Sequence, residues 1–252
     1  MKIGVELYTL RDHLKTPEDI WATLKRVAEM GYTCVELAGI PEIDPARLAG
    51  MLEEHGLRAG CTHTNPDLIL HKTDAVITAH QTLGCPYVGM GMMPNEYLGS
   101  LDGARRFIRE FTPAAEQIAA AGMKLVYHNH AFEFEKFGGV AVFDVMVDES
   151  DPALWGFEPD LYWVQVGGRN PAALLRRLSG RVDVCHFKDL AVKGFEQRMA
   201  PVMEGNLDWN AIIAACRETG VSYAMVEQDD VYDACPFDEL AKSRRNLLAA
   251  GL

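Results

Sequence analysis

The sequence predicts an α/β protein: a single-domain, closed (β/α)8 TIM barrel spanning residues 1–252. Three observations predict it. Short apolar runs rich in strand formers alternate with stretches of helical period along the whole chain, the pattern of right-handed βαβ units around a parallel sheet. The runs number eight strand candidates and eight helix candidates, which suits a closed barrel better than an open doubly wound sheet. The length of 252 residues also matches one such barrel, which typically occupies roughly 250 residues.

The first strand is Ile3 to Leu7, an apolar run with a carboxylate inside it, closed by Tyr8 and Thr9. Thr16 then caps a helix that has Pro17 at its first position, carries Ile20, Leu24, Val27 and Met30 on one face, and stops at Gly31. Thr33 to Leu37 is the second strand, and a helix from Asp44 to about Glu54 follows, ended by Gly56. Arg58 to Thr62 is the third strand, with polar His63, Thr64 and Asn65 behind it. A helix from about Asp74 to Leu83 leads through Gly84 into the fourth strand, Pro86 to Met90. Ser100 caps a long helix that runs to about Ala121 and closes at Gly122. The fifth strand, Leu125 to Tyr127, opens onto the densest polar stretch of the chain. Val140 to Val147 is helical, Leu154 to Phe157 is the sixth strand, and Pro171 to Leu178 is a short helix. Val182 to Phe187 is the seventh strand, Asp208 to Thr219 a helix, Tyr223 to Val226 the eighth strand, and Phe237 to Leu248 the closing helix. Ala191 to Leu207 is longer than a barrel loop needs and holds Arg198, so it is expected to cover the substrate.

Composition narrows the function classes. A net charge of -12 opposes a phosphate-backbone partner, because non-specific nucleic-acid affinity comes from Lys and Arg neutralising phosphates. No apolar stretch approaches the roughly 20 residues that span a bilayer, and the N-terminus is not a signal peptide, so no membrane association is expected. The six cysteines (Cys34, Cys61, Cys85, Cys185, Cys216, Cys235) are scattered without CxxC or zinc-finger spacing and read as buried thiols of a reducing cytoplasm. No Gly-rich dinucleotide or phosphate-loop motif follows any strand, which argues against a nucleotide cofactor.

In a parallel barrel the chemistry sits at the carboxyl ends of the strands. Four of those ends carry groups that bind divalent cations: Glu133 after the fifth, Asp160 after the sixth, His186 in the seventh and Glu227 ending the eighth. Three carboxylates and an imidazole suit Mn, Mg, Co or Zn. A cation polarising a ketose carbonyl and its neighbouring hydroxyl acidifies the C–H between them, and an adjacent carboxylate removes and returns the proton. Any one of these groups has a plainer role available as a helix cap or ion-pair partner, and Lys188 beside Asp189 reads equally well as a surface pair. His128 and His130 point to opposite sides if the strand continues, so only one of them faces the barrel mouth. The coincidence of four ligand types at four consecutive strand ends favours function.

Tyr127-His-Asn-His-Ala-Phe-Glu-Phe134, Asp160-Leu-Tyr-Trp-Val164 with Gly167-Gly168, His186-Phe-Lys-Asp189, Glu204-Gly-Asn-Leu-Asp-Trp209 and Val226-Glu-Gln-Asp229 together resemble the sugar phosphate isomerase/epimerase family, within the xylose isomerase-like TIM-barrel superfamily. The resemblance covers the whole chain and keeps the motif order. It implies a divalent metal on Glu133, Asp160, His186 and Glu227, with the two glutamates also acting as acid and base on opposite faces of the substrate. Two departures stand out. His128 occupies the end of the fifth strand, where ketose epimerases place the first Glu, so the first ligand is either His128 or Glu133. Trp163 stands where those epimerases often carry a His, so a different substrate pocket is expected.

The function expected is a metal-dependent isomerase or epimerase acting on a small-molecule sugar or keto-sugar, with His128, His130, Trp163, Lys188 and Arg198 on the substrate. The alternative is a lyase that dehydrates an inosose or 3-keto-glycoside, with His128 or His130 as the acid. An abasic-site endonuclease ranks lower because the chain is acidic and short of extra His ligands, and a non-catalytic barrel is a fourth option. No phosphate cradle is visible, so an unphosphorylated substrate is expected. The oligomeric state stays open, a homo-oligomer included.

Overall fold

The computed structural model describes all 252 residues. Eight parallel strands are arranged around one axis: β1 (Lys2–Glu6), β2 (Cys34–Leu37), β3 (Arg58–Thr62), β4 (Tyr87–Met90), β5 (Lys124–His128), β6 (Trp155–Glu158), β7 (Val184–Phe187) and β8 (Tyr223–Val226). Hydrogen bonding runs continuously through β3, β2, β1, β8 and β7, and separately through β4, β5 and β6. Single bridges join the two arcs, His63 to Gly89 on one side and Phe157 to Val182 and Asp160 to His186 on the other. The ring is therefore closed, as the strand count predicts. Most strand residues are buried on both faces, as a helix-jacketed parallel sheet requires.

The helices begin where the cap residues place them. Thr16 and Asp19 form a capping box on α1 (Pro17–Glu29), and Asp44 caps α2 (Pro45–Glu54). Ser100 caps Leu101–Ala120, and Asp208 caps Trp209–Thr219. Each cap satisfies an amide that the first helical turn leaves without a partner. Boundaries differ from the sequence expectation by one or two residues: Leu7 already belongs to a 3-10 turn, Leu7–His13, and the helix expected from Val140 starts at Val142. Two short helices were not anticipated, Pro66–His71 capped by Asn65 and Leu161–Val166 capped by Asp160.

The stretch Ala191 to Leu207 is ordered differently from the expected open loop. Asp189–Lys193 pairs antiparallel with Glu196–Ala200 in a hairpin. Its base is fixed by the buried Asp189 carboxylate, which accepts the amides of Leu190 (2.8 Å), Met203 (2.8 Å), Gly205 (3.0 Å) and Leu207 (3.3 Å) and the Trp209 indole N–H (2.6 Å). A Cβ at position 205 would lie 2.5 Å from Asp189 Oδ1, so Gly205 is required by close approach. Asp189 thus organises the loop from inside, and the surface pair with Lys188 does not form, since both residues are buried. Five cysteines are buried and free as expected, whereas Cys235 is exposed at the start of the last helix.

Candidate active site

Every strand except β3 and β4 ends on, or is followed at once by, a buried charged or imidazole side chain directed into the barrel. Glu6 closes β1, Glu36 lies in β2, and His128 closes β5. Glu158 and Asp160 come at the end of β6, His186 and Lys188 at β7, and Glu227 after β8. β3 is followed by His63, whose side chain is 20% exposed. Seven of these groups fall into two clusters that share His186.

The outer cluster is His128, Asp160, His186 and Glu227, with one donor atom of each within 4.8 Å of the others. His128 Nδ1 lies 2.9 Å from the Gly91 carbonyl. A carbonyl only accepts, so Nδ1 carries a proton, which leaves Nε2 as the ring atom that faces the cluster, 3.5 Å from Asp160 Oδ2. Asp160 uses Oδ1 to cap its helix at the Trp163 amide (3.0 Å) and leaves Oδ2 facing inward. Glu227 Oε2 is 2.7 Å from His186 Nδ1. Lys188 Nζ stands among the carboxylates, 3.2 Å from Asp160, 3.2 Å from Glu227 and 2.5 Å from Asp229. Burial favours the neutral form of Glu227, but Lys188 and His186 outweigh it and hold this carboxylate well below its usual range. Burial likewise opposes the Lys188 ammonium, which Asp160, Glu227 and Asp229 stabilise.

The inner cluster is Glu36, His63, Glu158 and His186, again with donor atoms within 4.8 Å of one another. Glu36 bridges the two imidazoles, with Oε2 2.9 Å from His186 Nε2 and Oε1 3.0 Å from His63 Nε2. Glu158 lies 3.5 Å from each of the same nitrogens. Burial pulls the His63 and His186 pKa values down, but the carboxylates around them raise both well above the usual value. Glu6 is fully buried beside this cluster; burial and the Glu227 charge raise its carboxyl well above the usual range.

Both clusters meet a cavity of about 960 Å³ at the carboxyl end of the barrel. Glu6, His63, His128, His130, Lys188, Glu227 and Asp229 reach it from the strand ends, and Tyr8, Arg11, Asn65, Asn95 and Tyr97 contribute to its walls. The donor set fits a divalent cation in the outer cluster. His128 Nε2 is buried with no hydrogen-bond partner, and the inward oxygen of Asp160 is met only by the Lys188 ammonium at 3.2 Å, so both atoms are placed to take a cation.

The sequence model of the xylose isomerase-like TIM barrel matches residues 24–248. The chain belongs to this family. Its fold superposes on two sugar phosphate isomerase/epimerase crystal structures from Parabacteroides distasonis. One has TM-score 0.83 and 26% identity over 98% of this chain and 97% of that one. The other has TM-score 0.84 and 25% identity over 99% and 94%. A D-allulose 3-epimerase from Methylomonas sp. shares the fold at TM-score 0.70 and 14% identity, covering 100% of this chain and 98% of its own. No curated protein is a detectable sequence match.

Within this xylose isomerase-like barrel, Asp160, His186 and Glu227 come together as the sequence predicts, and His128 joins them. Glu133 does not. Its turn, Phe132–Phe134, folds back behind β5, where Oε1 accepts the Tyr127 hydroxyl (2.6 Å) and Oε2 the His130 amide (2.8 Å). Burial pushes its pKa up to about 7. Because β5 stops at His128, strand alternation does not continue, and both His128 and His130 reach the cavity with ring centroids 4.9 Å apart. Trp163 stands behind them, 5.6 Å from the His130 ring and under the Lys188 ammonium, and does not line the cavity. Arg198 is also away from the cavity: it pairs with Glu196 on the hairpin and stacks on Tyr232. Sequence reasoning missed Glu36, Glu158, His63 and Asp229 and gave Glu6 no role. The available signal was a carboxylate inside a short strand that is otherwise apolar, since buried carboxylates need a partner.

Proposed function

We propose that this barrel is a divalent-metal-dependent isomerase or epimerase of a sugar or keto-sugar. The observation that carries the proposal is the outer cluster of His128, Asp160, His186 and Glu227, whose donor atoms converge within 4.8 Å and of which His128 and Glu227 line the cavity. When bound there, Mn, Mg, Co or Zn supplies the polarisation of a substrate carbonyl and its neighbouring hydroxyl. The protein supplies the proton handling. Glu227 is held ionised and faces the cavity, the state a base needs, while Glu6 keeps its proton on the same cavity and can return one. Lys188 places a fixed positive charge where negative charge develops on the substrate oxygen.

Glu133, sealed behind Tyr127, acts in this reading as a positioning residue for His130. Burial lowers the His130 pKa to about 3, so this imidazole is neutral near pH 7 and a poor proton donor for a departing hydroxyl, which weighs against the dehydratase alternative. Lys188 is already engaged by Asp160, Glu227 and Asp229 and is not free to pair with a phosphate, which favours an uncharged sugar over a phosphorylated one. The test is turnover of a keto-sugar panel with added Mn or Co, with products analysed by mass. Glu227→Gln, folded by circular dichroism, is expected to lose at least a hundredfold in kcat. Full turnover in that variant would refute the assignment, and products lighter by one water would replace isomerisation with dehydration.

A further inference from the structure

Glu36, His63 and Glu158 have no part in the chemistry just described. We propose that Glu36, His63 and Glu158 form a second divalent-cation site, one layer further into the barrel than the first. Glu158 precedes Asp160 by two residues along the same strand direction, which separates the two carboxylates by about 7 Å of extended chain and places them on one face. Glu36 and Glu158 are fully buried, and neither lines the cavity; His63 does. An ion held by these three therefore has protein below it and the cavity beside His63.

An observation separate from the clustering points to a ligand. Both Glu158 oxygens are buried without a hydrogen bond, their nearest donors being His63 Nε2 and His186 Nε2 at 3.5 Å. Leaving a fully buried carboxylate without a close donor is costly unless something binds it. Ligand bonds of about 2.0–2.2 Å bring donor atoms within roughly 4.4 Å of one another, and the donors here already lie within 4.8 Å. Charge agrees. An ion bound to His63 displaces the proton on Nε2 and supplies the positive charge that faces Glu36 and Glu158 in its place. Two carboxylates with an imidazole select Mn, Co or Zn over calcium, which takes six to eight oxygens.

His186 sets the relation between the sites. Its Nδ1 faces Glu227 and its Nε2 faces Glu36, and a neutral imidazole has a single lone pair. With Nδ1 serving the outer cluster, Nε2–H donates to Glu36 and orients it. The inner ion then has three protein ligands, the number found in open catalytic sites and not in closed structural ones.

The test is a Co(II) titration of chelator-stripped protein, read by visible absorption and by elemental analysis after desalting. Wild type is expected to saturate at two equivalents per chain. Glu158→Gln and His63→Ala are each expected to saturate at one, as is Asp160→Asn, which removes an outer ligand. A single wild-type equivalent that Asp160→Asn abolishes and Glu158→Gln retains overturns the second site. So do two equivalents that neither inner variant reduces, or none at all. A single equivalent lost in Glu158→Gln and kept in Asp160→Asn supports the inner site and removes the outer one on which the proposed function rests. If the inner variants fail to fold, wild type and Asp160→Asn still decide: two and one, or one and one, support the site, whereas one and none overturn it.

Discussion

Replacing Lys188 by Met tests whether the ammonium and a bound cation serve the same carboxylates. The side chain is 1% exposed, and its Nζ lies 3.2 Å from Asp160, 3.2 Å from Glu227 and 2.5 Å from Asp229. Removing one partner from a buried ion cluster costs about 3–5 kcal/mol, because the charges left behind are neither solvated nor paired. For a chain of this size each kcal/mol lowers Tm by about 2–4 °C, so chelated Lys188→Met is expected to melt roughly 6–20 °C below wild type. A divalent ion on Asp160 and Glu227 replaces much of the missing charge. With saturating Mn or Co the deficit should shrink by about 2 kcal/mol, which by linkage means about thirtyfold tighter metal binding in the variant. Urea denaturation with chelator and with metal measures both quantities. Stability within 0.5 kcal/mol of wild type under chelation, or a deficit that metal leaves unchanged, would refute the argument.

Tyr127→Phe deletes a hydroxyl that donates to Glu133 and accepts the Met93 amide (3.1 Å), and is expected to cost about 1–3 kcal/mol in urea denaturation. A neutral change would mean that neither group depends on it. The Glu133 carboxyl is raised from 4.5 to about 7 in the folded protein. Its contribution to stability is fully present below the unfolded value and is lost as pH rises through the folded one, since the unfolded chain releases this proton first. In chelator, the stability of wild type relative to Glu133→Gln should therefore fall by up to about 3 kcal/mol between pH 4.5 and 7. A flat difference across that window contradicts the burial argument. Gly205→Ala forces a Cβ to 2.5 Å from Asp189 Oδ1 and should loosen the hairpin of residues 189–200, read as several-fold faster proteolysis near the fully exposed Phe195 with the far-UV spectrum unchanged. An unchanged cleavage rate would show that Asp189 does not hold the loop.

Local pattern was enough to read the barrel. Thr16 and Ser100 cap helices in the structure as the sequence predicts, because a cap is settled within three or four residues. Short apolar runs mark strands for the same reason: a strand jacketed by helices is buried on both faces wherever it sits in the ring. Asp160, His186 and Glu227 could be grouped in advance because strand ends converge at one mouth of the barrel. Which residue completes their cluster depends on where β5 stops. The chain turns at His128 and carries Glu133 behind the strand, an outcome set by Tyr127 and the His130 amide and absent from the sequence pattern. The inner cluster lies further still from what sequence reveals. Glu36, His63, Glu158 and His186 are spread over 150 residues and meet because closure of the ring fixes which side chains point inward. Pairing partners and register across the barrel arise from packing all eight strands at once, and no segment of the chain carries that information alone.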